Sequence, residues 1–347
     1  MSAFGKAIPV NVVTGFLGSG KTTIIKRLLA SPDLADTAVL VNEFGEVGLD
    51  HHLFRSVNEN TILLGNGCVC CAILGDMKDA LRDLFSQMTR GDVPPFKRVI
   101  VETSGLADPV PIAYTVQSEP VLRHHFRLGN VITTIDAVNG AGQLETHEES
   151  VKQAAVADFI IITKTDLAES AGIGSLKSRL AKLNAGAPVL DGSRDAVSPQ
   201  HLFRDDLSDL DSRASIVQSW FSNPEEENHG LSHSHSDGIQ SFCVQTDQPL
   251  DWTAFGIWMS MLLHCHGDKV LRIKGLLNVS DVETPVLING VQHIVHPPVH
   301  LAEWPDNDRN SRLIFIVQGM SIDNIRRSLD SFNRLANPGI TEIQKSA

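Results

Sequence analysis

The sequence predicts an α/β chain: a doubly wound, mostly parallel sheet organised around a phosphate loop, followed by a smaller α+β domain. Three observations carry that reading. The octet Gly15-Phe16-Leu17-Gly18-Ser19-Gly20-Lys21-Thr22 fits G-x-x-x-x-G-K-[ST] between an apolar run and a helical pattern, the setting in which such an octet cradles phosphates. Apolar runs then alternate with stretches of helical periodicity, as in a sheet covered by helices on both faces. Near residue 205 the chain turns acidic and polar before a second set of apolar runs begins.

The elements follow in order. Ile8-Pro9-Val10-Asn11-Val12-Val13 is a buried strand by its apolar content, and the apolar spacing of residues 23–29 suits a helix. Between them, Gly15 and Gly20 allow the backbone to curl so that successive N–H groups face the phosphates. The positive end of the following helix adds to the same field. Gly15, Gly18, Ser19, Gly20, Lys21, Thr22 and Thr23 are therefore the candidate phosphate-binding set. Within it, Lys21 is placed to neutralise the β- and γ-phosphates, and Thr22 to offer its hydroxyl to Mg²⁺. Further strands are expected at residues 38–41, 61–64, 98–101, 130–135 and 159–162, with helices near 77–88 and 173–183. This is a phosphate-loop NTPase sheet, with its ligand at the carboxyl ends of the strands.

Residues 1–205 form the predicted nucleotide domain, 206–238 a linker and 239–347 the second domain. The linker carries acidic residues and His229, His233 and His235; it lacks core-forming residues beyond Leu231 and reads as mobile. The second domain offers strands at 239–245, 270–277, 284–288, 291–295 and 312–317, with helices at 252–263 and 322–334.

Bulk properties narrow the classes. The 347 residues include 29 basic and 41 acidic side chains, for a formal charge of −12, and no basic stripe stands out. Binding to nucleic acid or to an anionic membrane is not expected. No apolar run approaches the roughly 20 residues of a membrane span. The N-terminus lacks the apolar core of a secretory signal, so a cytoplasmic setting is the expectation. There, five cysteines would stay reduced, and a close group of them points to metal or redox chemistry before disulfides.

Three further motifs carry chemistry. Thr163-Lys164-Thr165-Asp166 follows an apolar strand and resembles the guanine-reading [NTS]-K-x-D element of G proteins, with Thr163 where Asn is usual. Asp166 could accept from the ring N–H and the exocyclic amine of guanine, a donor pair that adenine lacks; the Lys164 stem would lie across the purine. Glu102-Thr103-Ser104-Gly105 closes another strand, where Glu102 could reach Mg²⁺ or the attacking water, and Gly105 could lend its N–H to the γ-phosphate. Gly67-Cys68-Val69-Cys70-Cys71 places three thiols within four residues, soft ligands suited to Zn²⁺. Two or three of them would bind together with an outside ligand, for which Glu43, His51, His52, His124 and His125 are candidates. A redox pair at Cys68 and Cys71 would need thioredoxin-like surroundings, which are not seen. Asn42-Glu43-Phe44-Gly45-Glu46-Val47-Gly48-Leu49-Asp50 stands where G proteins carry a nucleotide-sensing switch, or is an acidic turn.

Together, Gly15-Phe16-Leu17-Gly18-Ser19-Gly20-Lys21-Thr22-Thr23, Asn42-Glu43-Phe44-Gly45, Gly67-Cys68-Val69-Cys70-Cys71 and Glu102-Thr103-Ser104-Gly105-Leu106-Ala107-Asp108-Pro109 resemble the CobW family of phosphate-loop GTPases. Leu271-Arg272-Ile273-Lys274-Gly275 and Arg312-Leu313-Ile314-Phe315-Ile316 resemble the C-terminal domain of that family, so the likeness spans nearly the whole chain. The family is kin to GTPases that assist metal insertion into urease and hydrogenase. The resemblance implies a weak, metal-responsive GTPase, using GTP and Mg²⁺, that loads Zn²⁺ or Co²⁺ into a client metalloprotein. Catalysis would fall to Lys21, Glu102 and Gly105; base reading to Thr163, Lys164 and Asp166; metal binding to Cys68, Cys70, Cys71 and Glu43. A phosphate-loop kinase or ATPase with structural cysteines, and a non-catalytic zinc buffer, are the alternatives that base choice and nucleotide-dependent zinc affinity would separate. No arginine finger stands out, so slow intrinsic turnover is expected. Metal binding is left open at His233 and His235, and at His264-Cys265-His266 after an apolar helix; His293, His296 and His300 read as ordinary sheet and loop residues.

Overall fold

The computed structural model describes residues 7–41, 62–65, 73–192, 197–203, 233–234 and 238–336. The chain divides into two compact units, Met1–Asp209 and Leu210–Ala347.

The first unit alternates strands and helices. β1 (Ile8–Gly15) leads through the phosphate loop into α1 (Lys21–Leu29), then β2 (Thr37–Val41), β3 (Ile62–Gly65), α2 (Ile73–Arg90) and β4 (Arg98–Glu102). There follow α3 (Val110–Ser118), α4 (Leu122–His125), β5 (Phe126–Asp136), α5 (Gly140–Thr146), α6 (Glu148–Ala155), β6 (Phe159–Thr163), α7 (Ser170–Leu183), β7 (Val189–Asp191) and α8 (Pro199–Leu202). The sheet order is β3-β2-β4-β1-β5-β6-β7, and every pairing is parallel. β1, β4 and β6 are buried almost throughout, which is why they read as unbroken apolar runs. α1 presents Ile24, Ile25, Leu28 and Leu29 to a core with Val13, Val39, Ile100, Ile132 and Ile161. That stripe fixes the helix against the sheet, and with it the loop at its N-terminus.

Because all seven strands run the same way, their carboxyl ends share one edge. Gly15, Glu102, Asp136, Thr163 and Asp191 end their strands there, and the registers Val13↔Glu102, Gly15↔Thr134 and Asp136↔Thr163 set them side by side.

The second unit begins, among the described residues, with β8 (His233–Ser234) and β9 (Ile239–Thr246), followed by α9 (Trp252–His266), β10 (Val270–Leu277) and β11 (Val286–Val291). β12 (Ile294–Val295), β13 (Val299–His300), β14 (Ser311–Gln318) and α10 (Ile322–Ala336) complete it. The antiparallel order is β12-β11-β10-β14-β9-β8, with β13 on β11. Ile273, Leu277, Leu313 and Phe315 of the sheet pack against Phe255, Trp258, Met259, Leu262, Ile325 and Leu329 of the two helices. Trp258 is 2% exposed, and its indole N–H donates to Ser328 Oγ at 2.9 Å, tying α9 to α10. Arg272 and Lys274 alternate with that core face along β10 and are buried equally deeply.

Two expectations need correction. The strand expected at 291–295 is two strands: Gln292 has φ 49°, and Gly290↔Val295 and Val291↔Ile294 pair across the turn. A hairpin turn without glycine leaves the apolar pattern on either side unbroken, so periodicity does not reveal it. Part of the expected linker is also sheet, since His233 and Ser234 pair with Ser241 and Gln240. Backbone hydrogen bonds make that edge pairing, and it requires no apolar side chain.

Candidate functional site

The site is built at the carboxyl edge of the first sheet. Gly15, Gly18 and Gly20 all have positive φ, and at Gly20 the value of +89° is one a side chain rarely adopts. A Cβ at Gly20 would make only ordinary contact with Thr163 at 3.4 Å, so it is the left-handed backbone, not lack of space, that calls for glycine where the loop turns into α1. Lys21 Nζ donates to the carbonyls of Gly15 at 2.9 Å and Phe16 at 3.2 Å, holding the ammonium over the loop. Ser19 Oγ lies 2.7 Å from Thr134 Oγ1, fastening the loop to β5.

The next residue meets the neighbouring strand. Thr22 Oγ1 donates to Glu102 Oε1 at 2.5 Å, and Glu102 is only 3% exposed. A hydroxyl and a carboxylate in contact beside a phosphate loop are the hard oxygen donors that Mg²⁺ prefers. These residues fit that ion. Beyond Glu102 the chain passes Thr103, whose hydroxyl donates to Thr14 at 2.8 Å, and reaches Gly105. A Cβ on Gly105 would come within 2.7 Å of the Leu17 backbone nitrogen, so the two loops touch through main chain. Gln153 of α6 holds the same loop, its amide donating to the carbonyls of Gly105 at 3.2 Å and Ala107 at 3.0 Å. His147, at the start of α6, stacks on Phe16 with ring centroids 4.4 Å apart.

The third component comes from β6. Thr163 Oγ1 donates to the carbonyl of Ser19 at 2.7 Å, so the residue standing where Asn is usual ties this strand directly to the phosphate loop. Lys164 sits at φ 54° in the left-handed region, and its Nζ lies 2.7 Å from Asp136 Oδ2. Asp136 is 1% exposed and also accepts from the backbone N–H groups of Val138 and Asn139 and from the Asn139 side chain. Burial pushes its carboxyl upward, but the Lys164 ammonium and these hydrogen bonds outweigh that and hold it below the ordinary aspartate range. Asp166 is exposed on a single 3₁₀ turn, Thr165–Leu167, and Thr165 donates to Asp191 at 2.7 Å.

The structure thus gathers Gly15 to Thr22, Glu102, Gly105, Thr163 and Lys164 at one edge, with Asp166 on the turn beside them. Cys68, Cys70, Cys71, Glu43, His51 and His52 lie outside the described residues. β3 brings the chain to that edge at Gly65, and α2 takes it up again at Ile73. Of the outside ligands proposed, His124 and His125 lie on α4, where His125 stacks on Phe85 at 4.0 Å. Among the described residues no three His, Cys, Asp or Glu side chains are gathered as a metal site; His264, Cys265 and His266 are exposed at the end of α9. His293, a turn residue, meets the Leu263 carbonyl at 3.0 Å and Asp268 at 3.1 Å.

Asp136, Gln153 and Thr134 are site residues that the sequence reading passed over. For Asp136 a signal existed: it is an acidic residue closing an apolar strand, the same pattern that singles out Glu102.

A parallel sheet with a phosphate loop after β1, a Thr–Glu pair beside it and a T-K-x-D turn after β6 defines a phosphate-loop nucleotide-binding protein. The comparisons make the class specific. Residues 9–191 match the CobW/HypB/UreG nucleotide-binding domain, and residues 239–333 match the cobalamin synthesis protein CobW C-terminal domain. The chain belongs to the CobW/HypB/UreG family. It is 34% identical over 309 residues to the zinc chaperone YjiA of Escherichia coli (strain K12), covering 89% of this chain and 93% of that protein. It is 28% identical to the zinc chaperone CobW of a Sinorhizobium species, covering 89% and 92%. The crystal structure of Zn(II)-bound YjiA GTPase from E. coli superposes with a TM-score of 0.70 at 29% identity, over 94% of this chain and 99% of that one.

Proposed function

We propose that this protein is a GTPase that couples the state of its nucleotide to the holding and delivery of Zn²⁺, with Co²⁺ the nearest alternative cargo, to a client metalloprotein. The observation that carries the nucleotide half is the contact of Thr22 with Glu102 at the mouth of the phosphate loop. The relatives' names as zinc chaperones, and the Zn(II)-bound state of one of them, support the metal half.

The chain's residues divide the work. Backbone N–H groups of Gly15 to Thr22 and the α1 dipole receive the phosphates, and Lys21 neutralises their charge. Thr22 and Glu102 would hold Mg²⁺ through their oxygens, and the ion would supply positive charge against the charge that develops on the phosphates. Gly105, in contact with Leu17, offers a backbone N–H beside the terminal phosphate. Thr163 ties the base turn to the phosphate loop, Lys164 is held by Asp136, and Asp166 would accept from guanine.

For metal delivery the requirement is only a difference in affinity between nucleotide states. About 1.4 kcal/mol of coupling gives a tenfold change. Cys68, Cys70 and Cys71, with Glu43, are the proposed ligands; in sequence they follow β3 and β2, which end at Gly65 and Val41. The test is a competition titration of Zn²⁺ and Co²⁺ with GDP and with a non-hydrolysable GTP analogue. Tighter Zn²⁺ binding in the GTP-like state, abolished in Cys70→Ala/Cys71→Ala, is expected. Equal Zn²⁺ affinity with GDP, the analogue or no nucleotide would overturn the coupling.

A further inference from the structure

We propose that Asp136 is a specificity-determining positioning residue, which acts by fixing Lys164 as one wall of the guanine pocket. The proposal rests on the guanine reading of Thr163 to Asp166 and adds a residue that the T-K-x-D pattern does not contain.

Lys164 has four rotatable side-chain bonds and, at a surface turn, would sample many rotamers. A stem that is to lie across a purine must be ordered before the base arrives, or ordering it weakens binding. Three observations indicate that it is ordered. Its φ of 54° is unusual for a residue with a side chain and sets the direction in which the stem leaves the turn. Its ammonium ends 2.7 Å from Asp136 Oδ2, so the stem is held at both ends. Asp136 is itself anchored: it ends β5 in register with Thr163, it is 1% exposed, and its carboxylate accepts from three N–H donors of Val138 and Asn139. The Lys164 side chain remains 37% exposed, so its stem keeps a solvent-facing surface on which a ligand could pack.

A carboxylate that is fully buried at the ligand edge, and that uses one oxygen on a half-exposed lysine, does more than the strand requires. The strand ladder is already complete through backbone pairing of Ile135 with Ile162 and Asp136 with Thr163. Asp136 therefore serves the turn beyond the ladder, and guanine affinity should depend on it although it need not touch the base.

The test uses the full chain and mant-labelled GDP and ADP in direct titrations. Wild-type protein is expected to favour mant-GDP. Asp136→Asn is expected to weaken mant-GDP by about tenfold while leaving mant-ADP unchanged. Lys164→Met keeps the stem and removes the ammonium, and should show the same loss. The double variant should be no weaker than either single one, because both act through one contact. Should Asp136→Asn fail to fold, Lys164→Met at its half-exposed position carries the measurement alone. A folded Asp136→Asn or Lys164→Met with wild-type mant-GDP affinity would overturn the proposal, as would losses that simply add in the double variant. Equal affinity of wild-type protein for mant-GDP and mant-ADP would instead overturn the guanine reading beneath it.

Discussion

At the scale of single residues, the site is a set of side chains that each join two strands or loops. Thr22 reaches β4, Ser19 reaches β5, Thr163 reaches back to the phosphate loop, and Lys164 reaches Asp136. Each link has a measurable consequence. Glu102→Gln keeps the shape but removes the charge, so the Mg²⁺ concentration needed for half-maximal nucleotide binding should rise severalfold; an unchanged Mg²⁺ titration would remove Glu102 from the ion's neighbourhood. Thr163→Val removes the hydroxyl that serves the Ser19 carbonyl and should cost about 1–2 kcal/mol in a urea unfolding series. Asp136 gives a pH signature. Its carboxyl is held below the ordinary aspartate range, so the stability it contributes is present above about pH 4 and is lost as pH falls further. The stability gap between wild type and Asp136→Asn should therefore be open at pH 7 and close in acid. The phosphate loop, Glu102 and the T-K-x-D turn were legible because they are local strings. Gln153 was not, because its partner Gly105 lies 48 residues away with no local pattern to mark the pair; Asp136 closes an apolar strand as Glu102 does, but only the fold shows that it meets Lys164.

At the scale of elements, legibility followed burial. Strands covered on both faces stood out as apolar runs, and α1 by its spacing. The helices α5 and α6 were harder to see, since α6 buries Ser150 and Gln153 beside Val151 and Ala154 and so blurs the apolar stripe. The hairpin at Gln292 and the edge pairing at His233 rest on backbone geometry that residue type does not encode. α9 illustrates an element set by its cap. Asp251 accepts from the backbone N–H of Ala254 at 2.7 Å, and the helix that follows is apolar nearly all round. Asp251→Ala should cost about 1 kcal/mol in chemical unfolding. No loss of stability would show that packing alone decides where α9 starts.

At the scale of the whole molecule, the described residues include a core between α1 and the parallel sheet and another between the antiparallel sheet and its two helices. No helix of the described residues is long and apolar enough to cross a membrane. The phosphate loop, Glu102 and the T-K-x-D turn belong to the first unit alone. A ligand that binds only the native form raises stability by mass action, by about 2.7 kcal/mol at a hundredfold excess over its Kd. In calorimetry, GDP with Mg²⁺ should therefore raise a transition belonging to the first unit, while Trp258→Ala lowers one belonging to the second. A single transition moved equally by both would show that the units unfold together.

The indole that ties α9 to α10 has an optical corollary. All four tryptophans of the chain, at positions 220, 252, 258 and 304, fall within Leu210–Ala347. Intrinsic emission excited at the red edge of aromatic absorption thus reports on the antiparallel half, with the nucleotide half dark. A tryptophan introduced at exposed Leu167, beside Asp166, would light the dark half and give base binding a colour of its own.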